Sequence, residues 1–359
     1  MSLLWLVPAA AAGLVLVALL GWGLFGSPGE SRSTSTPGPS STARVAVATL
    51  TQPLAMATQA VTAELPPTAT VTPGPSDTPS PTPPIVLARS MASIAYQSRR
   101  QGETSWSVYV CGSDGSNRTL VTAGQSGYLA PPSWSPDGSR LALISDRSGN
   151  VDVWVVDVDG GNAVNLTQDE AKDHSPAWSP DGQWIVFASL RETLYWELYL
   201  MRADGTDTRR LTWWEDASDL SPTWSPDGSR IAFSTKRDGN WEIYIMDRDG
   251  SNLVRLTDHP ADDTNPSWSP DGSRIAFEST REGYAEIFLV PVGGGQPVNI
   301  SNAPFSSEHG PSWSPDGSRI AFYSDMEGNW DIYVIESDGS NLARLTAENT
   351  NDQVPAWRP

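Results

Sequence analysis

The chain has 359 residues and is acidic, with 23 Lys and Arg against 42 Asp and Glu and a formal net charge of −19. Its first 90 residues balance Glu30, Glu64 and Asp77 against Arg32, Arg44 and Arg89, so the whole excess lies beyond them, in a region that repels nucleic-acid phosphates. The single cysteine, Cys111, excludes an intrachain disulfide and a cysteine-based metal site.

Residues 3–25 carry no charged side chain. As a helix they would span about 35 Å at about 1.5 Å per residue, enough for the apolar core of a bilayer. The basic start and clear cleavage site of a secretory signal are missing. Residues 1–25 are therefore expected to be an uncleaved membrane anchor, with signal cleavage and secretion as the alternative. Residues 26–85 are rich in Pro, Ser and Thr, as in "TVTPGPSDTPSPTPP", and such a composition predicts a disordered, semi-extended stalk. An anchor followed by a stalk predicts a domain held outside the cytoplasm, at the cell surface or in the periplasm.

From there the chain repeats one phrase. "PPSWSPDGSRLALIS", "SPAWSPDGQWIVFAS", "SPTWSPDGSRIAFST", "NPSWSPDGSRIAFES" and "GPSWSPDGSRIAFYS" surround Trp134, Trp178, Trp224, Trp268 and Trp313, and "VPAWRP" ends the chain around Trp357. A period of about 40–50 residues marks a propeller or a solenoid. Each unit reads as four short strands separated by turns: a tryptophan strand, "PDG", an alternating "SRIAFES", a second turn, "YAEIFLVPV", a glycine turn and "QPVNIS". One such blade cannot bury both faces, but a closed ring of blades can. The first unit begins in mid-repeat at Ser93, and the missing innermost strand is "VPAWRP". Residues 86–359 are thus expected to be an all-β, six-bladed β-propeller of four-stranded antiparallel blades, with the C-terminal strand closing blade 1.

The repeated "WSPDGxxIAF" and "EIYIMDRDGSNLVRLT" (Glu242–Thr257) resemble the PD-type, WD-like repeats of the TolB-like propeller family over about residues 90–359. The resemblance implies a six-bladed propeller used for binding in the cell envelope. The family's namesake has a separate N-terminal α/β domain and no anchor, so the resemblance does not imply a place in a Tol–Pal complex.

The residue five places before each key tryptophan lies where the chain crosses between blades. It reads Leu129, Asp173, Asp219, Asp263, Glu308 and Asp352. Five carboxylates are expected to converge as an incomplete ring at the mouth of the axial channel, joined by His174 and His309. Converging like charges repel unless a cation or basic group sits among them; the competing reading is that each acid caps a local turn. No cofactor is required, and Ca²⁺, with about 6–8 oxygen ligands, is the ion such a ring would suit. Segments such as "DRDGSN" lack the closing bidentate Glu and flanking helices of a calcium hand and read as hairpin turns. Trp213 and Trp214, in the crossing of the one 46-residue spacing, are candidate partner anchors. Cys111, in a strand-like stretch, reads as a buried residue. The expected function is a non-enzymatic, surface- or envelope-anchored module that binds a basic protein or peptide at the channel mouth. The alternatives are a metal-dependent hydrolase or lyase using the carboxylate ring, and a structural envelope protein. No nucleophile elbow or His/Ser/Cys constellation supports a reaction.

Overall fold

Between the first two strands of each blade the chain reverses at "SPDGS", and the Asp is the reason. Asp137 Oδ1 accepts hydrogen bonds from Ser135 Oγ at 2.6 Å and from the Ser139 amide at 3.0 Å, and Gly138 supplies the left-handed φ of 64° that follows. These bonds, led by that of Ser135, pull the Asp137 pKa down to about 2. The same turn recurs at Asp181, Asp227, Asp271 and Asp316.

The structure is a computed structural model that describes residues 93–126 and 129–359, all within the compact unit Thr82–Pro359. The expected anchor over 1–25 and stalk over 26–85 lie outside the described residues. The described residues form six four-stranded antiparallel sheets and no α-helix. Blade 4 is representative, with strands Asp219–Trp224, Arg230–Thr235, Glu242–Asp247 and Val254–Arg255. Blade 1 takes its innermost strand, Thr350–Trp357, from the C-terminus; that strand pairs antiparallel with Ser93–Arg100. The closure read from the two broken repeats is therefore present.

The key tryptophans join neighbouring blades. Trp224 packs with Val186, Ala188, Leu198 and Leu200 of blade 3, and Trp357 with Ala321, Ile332 and Val334 of blade 6. The arginine of "GSR" in one blade covers the next blade's tryptophan: Arg140 lies 5.1 Å from the Trp178 ring, Arg230 5.1 Å from Trp268 and Arg319 5.1 Å from Trp357. Such cation–π contacts contribute about 0.5–2 kcal/mol each. The hairpin turns of the "DGSN" type also press on a neighbour. A Cβ on Gly115 of blade 1 would stand 2.4 Å from the Leu345 carbonyl oxygen of blade 6, so only glycine fits there. Cys111 is buried, and burial pushes its thiol up to about 12.

Five of the six innermost strands are bulged three residues before the tryptophan; blade 2 has Pro131 there. Ser175, Ser221, Asn265, Gly310 and Val354 all have φ between 48° and 60°, and the ladder shifts register across each of them, as between Leu220 and Thr223. A bulge re-aims the side chains that follow it. Here the next residue is proline in every blade, and Pro132, Pro176, Pro222, Pro266, Pro311 and Pro355 all line the central channel.

Candidate functional site: the axial channel and the upper face

We call the face where the innermost strands begin the upper face. The antiparallel ladders place the turns between second and third strands there too, because Thr235 pairs with both Asp219 and Glu242. Below it, the channel holds three chambers. An upper one of about 150 Å³ is lined by His174, Leu220, Asn265, Tyr323 and Val354 among others. The proline-lined chamber, of about 250 Å³, follows. A lower funnel of about 510 Å³ is framed by the six tryptophans and by the prolines of "WSP" and "WRP".

His174 lines the upper chamber, and His309 stacks on Tyr323, which also lines it; the two are in different states. His174 Nδ1 stands 2.8 Å from Ser175 Oγ, and burial lowers its pKa to about 4, which leaves it neutral. His309 Nδ1 stands 3.3 Å from Glu278 Oε2, stacks on Tyr323 at 5.3 Å and lies 5.5 Å from Trp330. Burial works against its charge, but the hydrogen bond and charge of Glu278 outweigh burial and raise its pKa. Glu278 also accepts from Thr264 Oγ1 at 2.6 Å and from the Gly310 amide at 3.0 Å.

The ring of five converging carboxylates does not form. Asp173, Asp219, Asp263, Glu308 and Asp352 are fully buried, and none lines the three chambers. The reason lies in the register. Each acid stands opposite a hydroxyl residue of the second strand: Ser189, Thr235, Ser279, Ser324 and Ser98. Its side chain enters the space between blades, while the residues after it meet the axis. There it is held by its own partners. Arg191 Nη2 donates to both oxygens of Asp173 at 3.1 and 3.2 Å, Arg237 to Asp219 at 3.2 and 3.3 Å, and Arg281 to Asp263 at 3.0 and 2.8 Å. Asp352 takes a hydrogen bond from Thr350 Oγ1 at 3.0 Å and has Arg118 Nη2 at 4.0 Å. Glu308 takes only Ser306 Oγ at 2.6 Å and Ser324 Oγ at 2.9 Å. Burial raises the pKa of all five, opposed by these hydrogen bonds. Among the described residues no three His, Cys, Asp or Glu side chains are grouped to hold a metal ion.

The interblade spaces that hold a crossing acid also hold an acid from the third strand of the preceding blade; between blades 1 and 2 the two positions are Ser107 and Leu129. Glu197 takes Thr212 Oγ1 at 2.6 Å and Arg210 Nη2 at 2.9 Å. Glu242 takes Thr257 Oγ1 at 2.6 Å and Arg255 Nη2 at 2.8 Å. Between blades 3 and 4 and between blades 4 and 5 the niche holds two carboxylates and two guanidiniums; between blades 2 and 3 Asn165 replaces one arginine and serves Asp152. The sequence signal of the niche is the arginine two residues after the second-strand hydroxyl, as in "STKRD" and "ESTRE".

On the upper rim, Trp213 and Trp214 are 66% and 44% exposed. Arg210 lies 5.9 Å from the Trp213 ring and Arg237 5.0 Å from that of Trp214. The turn carrying exposed Leu194 and Tyr195 joins the same neighbourhood, because its Glu192 pairs with Arg210 at 3.0 Å. The crossing loops around it expose Asp169, Glu170, Glu215, Asp216, Asp258 and Asp262 against Lys172. An apolar patch ringed by acids fits a partially basic surface.

The family model of PD40, the TolB beta propeller domain, matches residues 76–220 and 215–310. An uncharacterised protein of Agrobacterium fabrum, Atu1656, is 32% identical over 158 residues, which is 42% of this chain and 53% of that one. The Tol-Pal system protein TolB of Desulfosudis oleivorans is 37% identical over 111 residues, 31% of this chain and 25% of that one. The chain therefore spans only about half, or a quarter, of the length of these relatives. The crystal structure of TolB from Acinetobacter baumannii superposes with a TM-score of 0.66 at 22% identity, covering 75% of this chain and 67% of that one. That likeness shows the fold alone.

Proposed function

We propose, because this chain belongs to the TolB β-propeller family, that it is a non-enzymatic binding module held at the cell envelope, outside the cytoplasm, whose upper face takes a basic protein or peptide segment. The observation that carries this reading is the exposed Trp213–Trp214 pair set among acidic crossing loops on one face. Buried aromatic anchors dominate interface energetics, and a surrounding rim of charge sets orientation and on-rate. The envelope location and the anchor rest on the reading of residues 1–85 and on the relative named as a Tol-Pal system protein. Against the hydrolase or lyase alternative stands the state of the axial acids, most of them locked to their own arginine and none presented to the channel.

The test is capture from envelope extract with the tagged full chain. Capture of a basic protein should weaken as salt rises. Replacing Trp213 and Trp214 together with Ala should reduce it at least tenfold, the scale of one hot-spot residue at about 2 kcal/mol. Capture that ignores both changes would overturn the reading.

A further inference from the structure

The niche between blades 5 and 6 breaks the pattern of its neighbours. Between blades 3 and 4, Glu197 and Asp219 face Arg210 and Arg237; between blades 4 and 5, Glu242 and Asp263 face Arg255 and Arg281. Between blades 6 and 1, Asp331 has Arg344 Nη2 at 2.6 Å, and Asp352 has Arg118 at 4.0 Å. Between blades 5 and 6 the acids remain, as Glu286 and Glu308, and both arginines are gone. Asn299 stands at the register position of Arg255, opposite Phe288 as Arg255 is opposite Tyr244. Met326 stands two residues after Ser324, where Arg237 and Arg281 follow their hydroxyls.

The consequences for the two acids are visible. Glu286 is served by the Asn299 amide, which it shares with exposed Glu282. Glu308 Oε1 takes two hydroxyls, but no donor of the described residues reaches its buried Oε2. The imidazole of the adjoining His309 is engaged by Glu278. A buried carboxylate that has lost its hydration without gaining a partner is destabilising. Met326 packs, partly buried, against the apolar cluster of Ile320, Phe322 and Tyr333 in the arginine's place, and Phe305, which is 90% exposed, precedes the Ser306 that bonds Glu308.

We propose that this niche is a binding site for a guanidinium group, filled by an arginine side chain of the basic partner. The equivalent niches in the same ring show what completes it: a planar, multiply donating cation matched to two carboxylates. A metal ion is the poorer fit, since the described residues hold no group of three His, Cys, Asp or Glu side chains suited to one. The proposal deepens the reading of a basic partner, but its test needs no partner. A failed capture experiment therefore leaves it standing, and its own failure leaves the Trp213–Trp214 surface standing.

The probe is N-acetyl-arginine amide, titrated into the full chain while the Met326 ε-methyl resonance is followed by NMR. A saturable shift is expected, at least tenfold weaker in Glu308→Gln and absent with the neutral N-acetyl-citrulline amide. Met326→Arg should supply the missing cation from within and raise the melting temperature. No saturable shift, an equal response to the citrulline probe, or unchanged binding in Glu308→Gln would overturn the proposal. A lower melting temperature for Met326→Arg would overturn it too. A shift of the same methyl that saturates at lower concentration of calcium chloride would assign the niche to a metal instead.

Discussion

The pKa values of His174 and His309 shift in opposite directions, and the sign of each follows from its neighbours. His309 has a folded pKa raised by Glu278, so its contribution to stability is complete below the ordinary histidine value of about 6.5 and is lost as pH rises through the folded value. Glu278 has its pKa lowered, burial being outweighed by the hydrogen bond from His309. Its contribution is present above the ordinary carboxylate value and lost as pH falls through the depressed one. His174, depressed to about 4, costs stability as pH falls below about 6.5. Comparing wild type with Glu278→Gln cancels His174. From about pH 6 to about pH 9 the urea midpoint of the wild type should fall, and that of the variant should fall much less. Equal slopes would contradict the pair. His174 and His309 were legible in the sequence because they follow the crossing acids, but Glu278 was not. Its signal is a column that varies within otherwise strict repeats, Gln97, Ile144, Ala188, Ser234, Glu278 and Tyr323, paired across the ladder with the column of His174 and His309.

At the scale of elements, the niches stitch the blades together with buried charge, and this reverses what an acidic ring would do. With converging carboxylates, neutralising one relieves repulsion. With niches, Asp219→Asn leaves Arg237 buried beside a neutral amide, and Arg237→Met leaves Asp219 as a bare buried charge. Each single change should cost about 3–5 kcal/mol, and the double variant should cost less than the sum of the two. Thermal melts of the three proteins decide it; a more stable Asp219→Asn would restore the ring. The blade pattern itself was legible, down to the four strands and the "SPDGS" turn, because it rests on local chemistry: alternation, Asp as a turn acceptor and Gly at positive φ. The fate of the five acids was not, because it depends on which way a strand faces after a bulge. A one-residue shift in a ladder exchanges its two faces, and the bulge at Ser221 and its counterparts makes that shift after the acid has already pointed away from the axis.

The described residues form a ring closed by the strand Thr350–Trp357, with two unlike faces. Removing Pro355–Pro359 takes away Trp357, its amide bond to Ser312 Oγ at 3.0 Å and its cover by Arg319. Loss of a buried tryptophan alone costs about 3–5 kcal/mol, so the melting temperature of the truncated chain should fall sharply; an unchanged value would refute closure. The lower face carries the "PDG" and "DGSN" turns, short, repeated and pressed against neighbouring blades. The upper face carries the irregular connections, where Trp213, Trp214, Leu194 and Phe305 stand exposed. The most direct test of the account is therefore which face a partner covers. Hydrogen–deuterium exchange of the full chain, alone and with the captured basic protein, should show slowed exchange over residues 190–196, 213–218 and 301–307, and none over the lower turns at 203–207 and 248–252. Protection of the lower turns, with the upper loops unchanged, would contradict it.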